Sequence, residues 1–417
     1  MEVKLGYGKK GVELLIPDGN LELVRPKEEM GRPAAYLDEV LDGGDIQKIV
    51  KGRSVCILPE DCTRDLPHEE IAGYICNRME GSGKVTVILA TGTHSPSDDG
   101  NRRIAGYYKN LLRGIKSEVL VHDCFNSKFR GIGRTTHGTE VLANEKVLGH
   151  DVYLTFSAMK PHYFAGYSNA YKNLVPGVCA YQTVEENHSL TMDDRSTYGM
   201  HPLNPNPERR DNPLAEDILE GCNMILEGKP AYSLSFICSN RSIFWAEFGR
   251  IYEATSRGIA EVDRRSAVRI KPADYVIVSP GGSPNDESLY IAQRALELTK
   301  KAYSDGAELL FLAECKKGMA HNRKAEENFH LPLKGDLEEI LSMREEYRLY
   351  SHKPYRFAQL LKRLEAFHMH SSLDDRTVEG IHLKPAGDPQ TVVDSWLEEN
   401  PRARILVFDK ANSLAVY

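Results

Sequence analysis

No apolar run in these 417 residues approaches the ~20 that a membrane-spanning helix needs, so no span is expected. The opening Met1-Glu2-Val3-Lys4-Leu5-Gly6 lacks the apolar core of a secretory signal. The eight cysteines, Cys56, Cys62, Cys76, Cys124, Cys179, Cys222, Cys238 and Cys315, contain no C-x-x-C pair and are scattered through a long chain. That pattern argues against a disulfide framework and for reduced thiols in a cytoplasmic protein. Basic charge is not in surplus: 53 Lys and Arg stand against 60 Asp and Glu, for a net charge of −7. Nothing in that balance recommends nucleic acid or an anionic membrane as a partner. Three motifs are also missing. There is no G-x-x-x-x-G-K loop and no H-E-x-x-H, and Gly131-Ile132-Gly133 lacks both the third glycine and the preceding strand of a dinucleotide fingerprint. No fixed-period repeat or low-complexity tract is present.

What is present is alternation. Val3 to Ile16 reads as a hairpin turning at Gly8-Lys9-Lys10-Gly11, and Pro33 to Val50 as a helix that Gly43-Gly44 can break. Short apolar strands follow at Ser54–Leu58, Lys84–Ala90, Val119–His122 and Val152–Phe156, with a helix at Pro67–Met79. A helix at Pro213–Gly228, strands at Tyr232–Cys238 and Ile243–Gly249, and a helix at Tyr252–Val268 complete this half. After the polar stretch 269–274 the alternation restarts. Strands are expected at Tyr275–Val278, Leu309–Ala313 and Ile405–Phe408. Helices are expected at Leu289–Asp305, Asp336–Leu349, Tyr355–Phe367 and Thr391–Asn400. The fold expected is α/β: two α/β domains with mostly parallel sheets, the active site in the cleft between them. Residues 1–270 form the first domain, to which the tail 402–417 is free to return, and 275–400 form the second.

Chemistry concentrates in Ala158–Leu190, which carries His162, Lys172 and His188 among the turn-forming residues Gly166, Ser168, Asn169, Pro176 and Gly177. It follows an apolar strand, and α/β ligands sit outside the carboxyl ends of strands. Lys172, between Tyr171 and Asn173, suits a covalent anchor, and His188 suits a metal ligand; taken singly, each also reads as an ordinary surface or helix residue. The loop Glu60-Asp61-Cys62-Thr63-Arg64 joins a strand to a helix. Thr63, Arg64 and the helix amides suit a phosphate, and Asp61 suits a ribose hydroxyl or the orientation of Arg64; a plain helix cap with an Asp–Arg pair is the alternative. His94, in Thr91-Gly92-Thr93-His94-Ser95-Pro96, ends another strand and suits acid–base work. His122-Asp123 ends a third, and there a structural role is preferred. His94, His162, Lys172 and His188 all map to one edge of one sheet.

In order along the chain, the motifs P-E-D-x-T-R-x-x-P, A-T-G-T-H-x-P, K-P-H-x-x-x-G-x-S-x-x-x-K-x-x-x-P-G, N-P-L-A-E-D and G-G-x-P-x-D resemble those of the nickel-dependent lactate racemase family. The resemblance implies a racemase or epimerase of 2-hydroxy acids. It also implies a nickel-pincer nucleotide, a pyridinium-3,5-bisthiocarboxylic acid mononucleotide binding nickel, built by separate biosynthetic proteins. By the same resemblance Lys172 tethers that cofactor and His188 ligates its metal. His94 and His162 are the acid–base pair, and Asp61, Thr63 and Arg64 grip ribose and phosphate. Two positions depart from the family pattern. Asn169-Ala170-Tyr171 replaces the small residues usual before the lysine, and Glu287 follows Asp286 where relatives carry Lys or Gln. Two other functions use the same residues: a metal-dependent hydrolase or lyase, and a nucleotide-binding module without catalysis. The substrate that the resemblance implies is a small 2-hydroxy acid or sugar acid.

Overall fold

The computed structural model describes residues 1–417 apart from 28, 65, 240 and 321. By contacts the chain divides into two units, Glu28–Arg264, and Met1–Lys27 with Arg265–Tyr417. Among the described residues no helix is long and apolar enough to cross a membrane.

Glu28–Arg264 is built on a six-stranded sheet. Its strands are β1 (Val55–Pro59), β2 (Val85–Leu89), β3 (Ser117–Val121), β4 (Val152–Ala158), β5 (Ala231–Ser239) and β6 (Ser242–Arg250), in the order β6-β5-β4-β1-β2-β3. Every neighbouring pair is parallel except β5 with β6. All residues of β1 and β2 are buried, as a parallel sheet covered on both faces requires, and this is why they read as unbroken apolar runs. The helices are α1 (Tyr36–Gly43), α2 (Ile46–Val50), α3 (His68–Cys76), α4 (Asp99–Leu111), α5 (Tyr181–Ser189), α6 (Pro213–Leu226) and α7 (Ile251–Ser266). The break between α1 and α2 falls at the expected glycine pair. A side chain on Gly44 would stand 2.1 Å from the Phe248 ring. The core joins Ile57, Val87, Leu154 and Phe156 of the sheet to Leu41, Ile71, Ile75 and Ile104 of the helices.

The strand order determines where a ligand can sit. From β1 the chain moves one way to β2 and β3, then crosses over to place β4 and β5 on the other side. Val55 pairs with both Val85 and Val152, so the three central strands run in step. The switch point therefore lies between β1 and β4, and the crevice beyond their carboxyl ends is the binding position of open α/β sheets.

Two buried polar side chains hold that edge. Asn173 donates to Leu58 O (2.9 Å) and Phe156 O (3.1 Å), clasping the ends of β1 and β4. His122, after β3, is fully buried. Its Nε2 lies 2.9 Å from Cys179 O, and the Asn144 amide lies 3.2 Å from its Nδ1. One donor and one acceptor satisfy a neutral imidazole, so the structural reading of His122 is the one its partners support.

The other unit carries a six-stranded sheet, all of it parallel, ordered Lys384–Pro385, Ala366–His370, Tyr303–Leu312, Ala273–Val278, Ile405–Phe408 and Leu21–Val24. The expected partition of the chain changes here. The break near residue 269 is close to the observed one at 264/265, but residues 1–27 do not join residues 28–264. Leu21–Val24 pairs with Ile405–Phe408 as an edge strand. The turn of the N-terminal hairpin is pinned by Gly6 N to Asp409 Oδ1 (2.9 Å) and Gly8 N to Asp286 Oδ2 (2.7 Å). Residues 402–417 likewise stay in this unit. The expected helix Leu289–Asp305 ends at Thr299 and gives way to a strand from Tyr303. The helix expected over Tyr355–Phe367 spans His352–Arg363, and Ala366–His370 is a strand. Glu287 is not an unbalanced negative charge: Lys317 Nζ lies 2.5 Å from its carboxylate.

Burial holds the His122 ring at a pKa of about 4, against 6.5 for a free imidazole. Between those values the unfolded chain binds a proton that the native ring refuses, so this residue's contribution to stability is lost as pH falls from about 6.5 to about 4. His122→Gln should destabilise the protein at pH 7, and urea titrations should find its deficit narrowing through that window. A deficit independent of pH would refute the assignment.

Candidate active site

The β1–α3 loop carries the first group. Glu60 accepts from Ser157 Oγ and Ala158 N, both at 3.2 Å. Burial raises its pKa despite nearby Arg64 and Lys160. Asp61 is almost wholly buried. Its Oδ2 lies 2.6 Å from His94 Nδ1, and its Oδ1 accepts from Thr63 Oγ1 (2.6 Å) and Thr63 N (3.1 Å). Burial alone would raise the Asp61 carboxyl, but the bond to His94, that ring's charge, Thr63 and Arg64 outweigh it and hold the carboxyl low. Both Asp61 oxygens are thus engaged by His94 and Thr63. The residue sits as the carboxylate behind a histidine. An ionised carboxylate on Nδ1 fixes the proton there and leaves His94 Nε2 as the basic atom. The His94 side chain is 40% exposed.

The second group follows β4. Lys160–His162 and Gly166–Ser168 form a small antiparallel hairpin. Its turn backs onto the segment beyond α5, and a side chain on Gly166, at φ +73°, would meet Met200 O at 2.1 Å. Ala165 N donates to His162 Nδ1 (3.2 Å), and Lys172 Nζ lies 2.9 Å from the ring's Nε2. Lys172 lies on a 3-10 turn, Ala170–Asn173, capped by Asn169 Oδ1 on Tyr171 N (3.0 Å). Gly177 N closes the turn on Lys172 O at 2.9 Å. An added Cβ at Gly177 would stand 2.7 Å from that same oxygen.

Phe164 stands at the centre of this group. Its ring lies 4.3 Å from that of His162 and 5.4 Å from that of His188, and 5.6 Å from Lys172 Nζ. His188, on α5, has its pKa lowered to about 3, by burial first and by Lys172 second. It is therefore a neutral imidazole at physiological pH, the form that binds metal. Tyr171 is buried, and its carbonyl accepts from Cys222 Sγ at 3.2 Å.

The expected residues thus fall into two clusters flanking β1. His94, Asp61 and Thr63 stand on the β2 side and His162, Lys172 and His188 on the β4 side, with the loops tied by Gly92 N to Gly177 O (3.0 Å). Arg64 borders the first cluster, its charge acting on Asp61 and Glu60. Three residues escaped the sequence reading. Asn173 and Glu60 stand beside named residues, and that adjacency was the only signal. His201 lies in a Pro- and Asn-rich stretch that reads as a plain loop, yet it is buried within the field of Lys172.

Residues 7–199 match the sequence family described as the lactate racemase N-terminal domain. The lactate racemase of Thermoanaerobacterium thermosaccharolyticum is 25% identical over 337 residues, 76% of this chain and 75% of that one. The lactate racemase of Lactiplantibacillus plantarum is 22% identical over 292 residues, 68% and 65% of the two chains. The structure of the T. thermosaccharolyticum apoprotein superposes with a TM-score of 0.87 at 21% identity, covering both chains completely. A Thermotoga maritima protein gives 0.63 at 13% identity, over 93% of this chain and all of its own. Over residues 7–199 the sequence is thus similar to the lactate racemase N-terminal domain, and the fold is that of the lactate racemase apoprotein.

Proposed function

We propose that this protein is a racemase or epimerase of small 2-hydroxy acids. The observation that carries the reading is the meeting of Lys172, His162 and neutral His188 beyond β4, with the His94–Asp61 pair across β1. Inverting a carbon that bears a weakly acidic hydrogen is difficult by proton removal, and neither histidine is a strong base. A cofactor that accepts hydride meets that difficulty.

The residues fit a nickel-pincer nucleotide. Lys172 would tether it, His188 would give the metal one imidazole, and Thr63 and Arg64 would hold ribose and phosphate. Among the described residues no group of three or more His, Cys, Asp or Glu is placed to hold a metal ion. A metal on His188 would therefore draw its other donors from the cofactor, as sulfur-ligated nickel does. When bound, the group would supply a reversible acceptor for the hydride at C2 of the substrate.

The chain's own task is then to move a proton on and off the substrate hydroxyl. His94, with its Nδ1 proton fixed by Asp61, offers Nε2 for one hand. His162 serves the other, and its Nε2 is occupied by Lys172 in the free protein. Converting the Lys172 amine to an amide-type nitrogen removes its basicity, so tethering would release His162 for catalysis. Both histidines thus have one fixed partner and one working nitrogen, as general acid–base catalysis requires.

Intact-mass and peptide mapping of protein produced with the cofactor's biosynthetic enzymes tests the tether. An adduct on Lys172 is expected, absent from a folded Lys172→Ala variant; an adduct mapping elsewhere would contradict the reading. Asp61→Asn should lower enantiomer interconversion by about 10²-fold or more, the usual worth of a general base, with little change in melting temperature. A near wild-type rate would remove Asp61 from the mechanism.

A further inference from the structure

The motif N-P-L-A-E-D opens α6 and has no part in the chemistry described so far. Asn212 caps the helix and Asp217 lies one turn into it. Asn212 Oδ1 accepts from Ala215 N at 3.0 Å, and its Nδ2 donates to Phe164 O and Met200 O, both at 2.9 Å. The start of α6 is thus tied to the turn that carries Phe164. Asp217 is wholly buried. Its Oδ1 accepts from Thr135 Oγ1, and its Oδ2 accepts from Thr139 Oγ1 (2.8 Å) and Asn187 Nδ2 (2.7 Å). The two threonines belong to the loop joining the antiparallel strands Phe129–Arg134 and Glu140–Asn144. Asn187, also wholly buried, lies on α5 and immediately precedes His188.

We infer that Asp217 is a positioning residue for His188, acting through Asn187 to fix the last turn of α5 against α6. α5 has nine residues, and no side chain caps its first turn. A helix shorter than ~12–15 residues is marginal in water by itself, so its placement comes from tertiary contacts. Early in α5, Thr183 Oγ1 donates to Glu140 O (2.6 Å) and accepts from Leu142 N (2.9 Å). One turn later, on the same face, Asn187 meets Asp217. Two fixed points four residues apart set the rotation of a helix about its axis, and with it the direction in which residue 188 leaves the backbone. The chemistry of residue 217 matters as much as its place. Two hydroxyls and an amide converge on it as donors. A carboxylate accepts from all three, whereas an asparagine would present one oxygen and an NH2 group.

The inference rests on the reading of His188 as a metal ligand, and its test separates the two. Protein loaded with the nickel-pincer nucleotide is challenged with EDTA. Nickel remaining on the protein is followed by elemental analysis, and the organic adduct by intact mass. His188→Ala should lose nickel fast with the adduct still in place. If it keeps nickel as the wild type does, the ligand reading falls and the inference falls with it. With His188→Ala labile, Asp217→Ala and Asn187→Ala should each lose nickel about tenfold faster than wild type, the lower end of what removing a metal ligand's support costs. The double variant should be no faster than either, since both act along one path. Glu220, also on α6, holds the same loop through Thr136 N (3.0 Å) and Thr136 Oγ1 (2.6 Å) without touching α5. Glu220→Ala should therefore stay within about twofold of the wild-type rate. A tenfold rise there too would mark general loosening and overturn the inference. Wild-type rates in Asp217→Ala and Asn187→Ala would overturn it while leaving His188 a ligand. If Asp217→Ala does not fold, Asn187→Ala and Asp217→Asn decide the matter, and a rise in both is expected.

Discussion

The two hydrogen bonds from Asn173 to Leu58 O and Phe156 O are the constraint on which the site depends. They join the ends of the two strands between which the chain reverses its direction of travel across the sheet. Each bond is worth roughly 1 kcal/mol net, and leaving a buried amide unpaired costs more than making it gains. Their geometric effect is the larger one. Lys172 is the preceding residue, so a single side chain fixes both the mouth of the crevice and the root of the lysine that enters it. Gly177, which tolerates no side chain against Lys172 O, closes the same turn from the other end.

The electrostatics follow from that placement. One amine is surrounded by imidazoles that burial keeps from charging: His188 and His201 are each held at a pKa of about 3, with the charge of Lys172 as the second cause. Across β1 the opposite arrangement holds, a buried carboxylate kept ionised by the histidine it touches. Imidazoles that burial keeps neutral stand on one side and an Asp–His pair on the other, although every residue comes from the same sheet edge.

Much of this was legible in the sequence, for identifiable reasons. Fully buried parallel strands such as β1 and β2 appear as bounded apolar runs, and Asp61, Thr63, Arg64 and His94 lie in the loops that follow them. Ile405–Phe408 was readable to the residue on the same grounds. The failures have a common cause, which is that pairing partners distant in sequence leave no local trace. Leu21–Val24 is an edge strand only because Ile405–Phe408 lies beside it, so the N-terminus was assigned to the wrong half. Ala366–His370 begins two residues after a helix, and its apolar residues extended that helix's pattern. Nothing local to Asp61 says that His94, on another loop, meets its carboxylate.

The central claim is that hydrogen leaves and returns at C2 without passing through water. Substrate deuterated at C2, incubated with cofactor-loaded protein in ordinary water and followed by chiral separation with mass analysis, tests it directly. The account expects the inverted product to keep its deuterium through early turnover, because the label would be returned by the hydride acceptor and not exchanged with solvent. Complete loss of the label in the first turnovers would contradict the account, leaving His94 and His162 as bases that exchange protons at carbon.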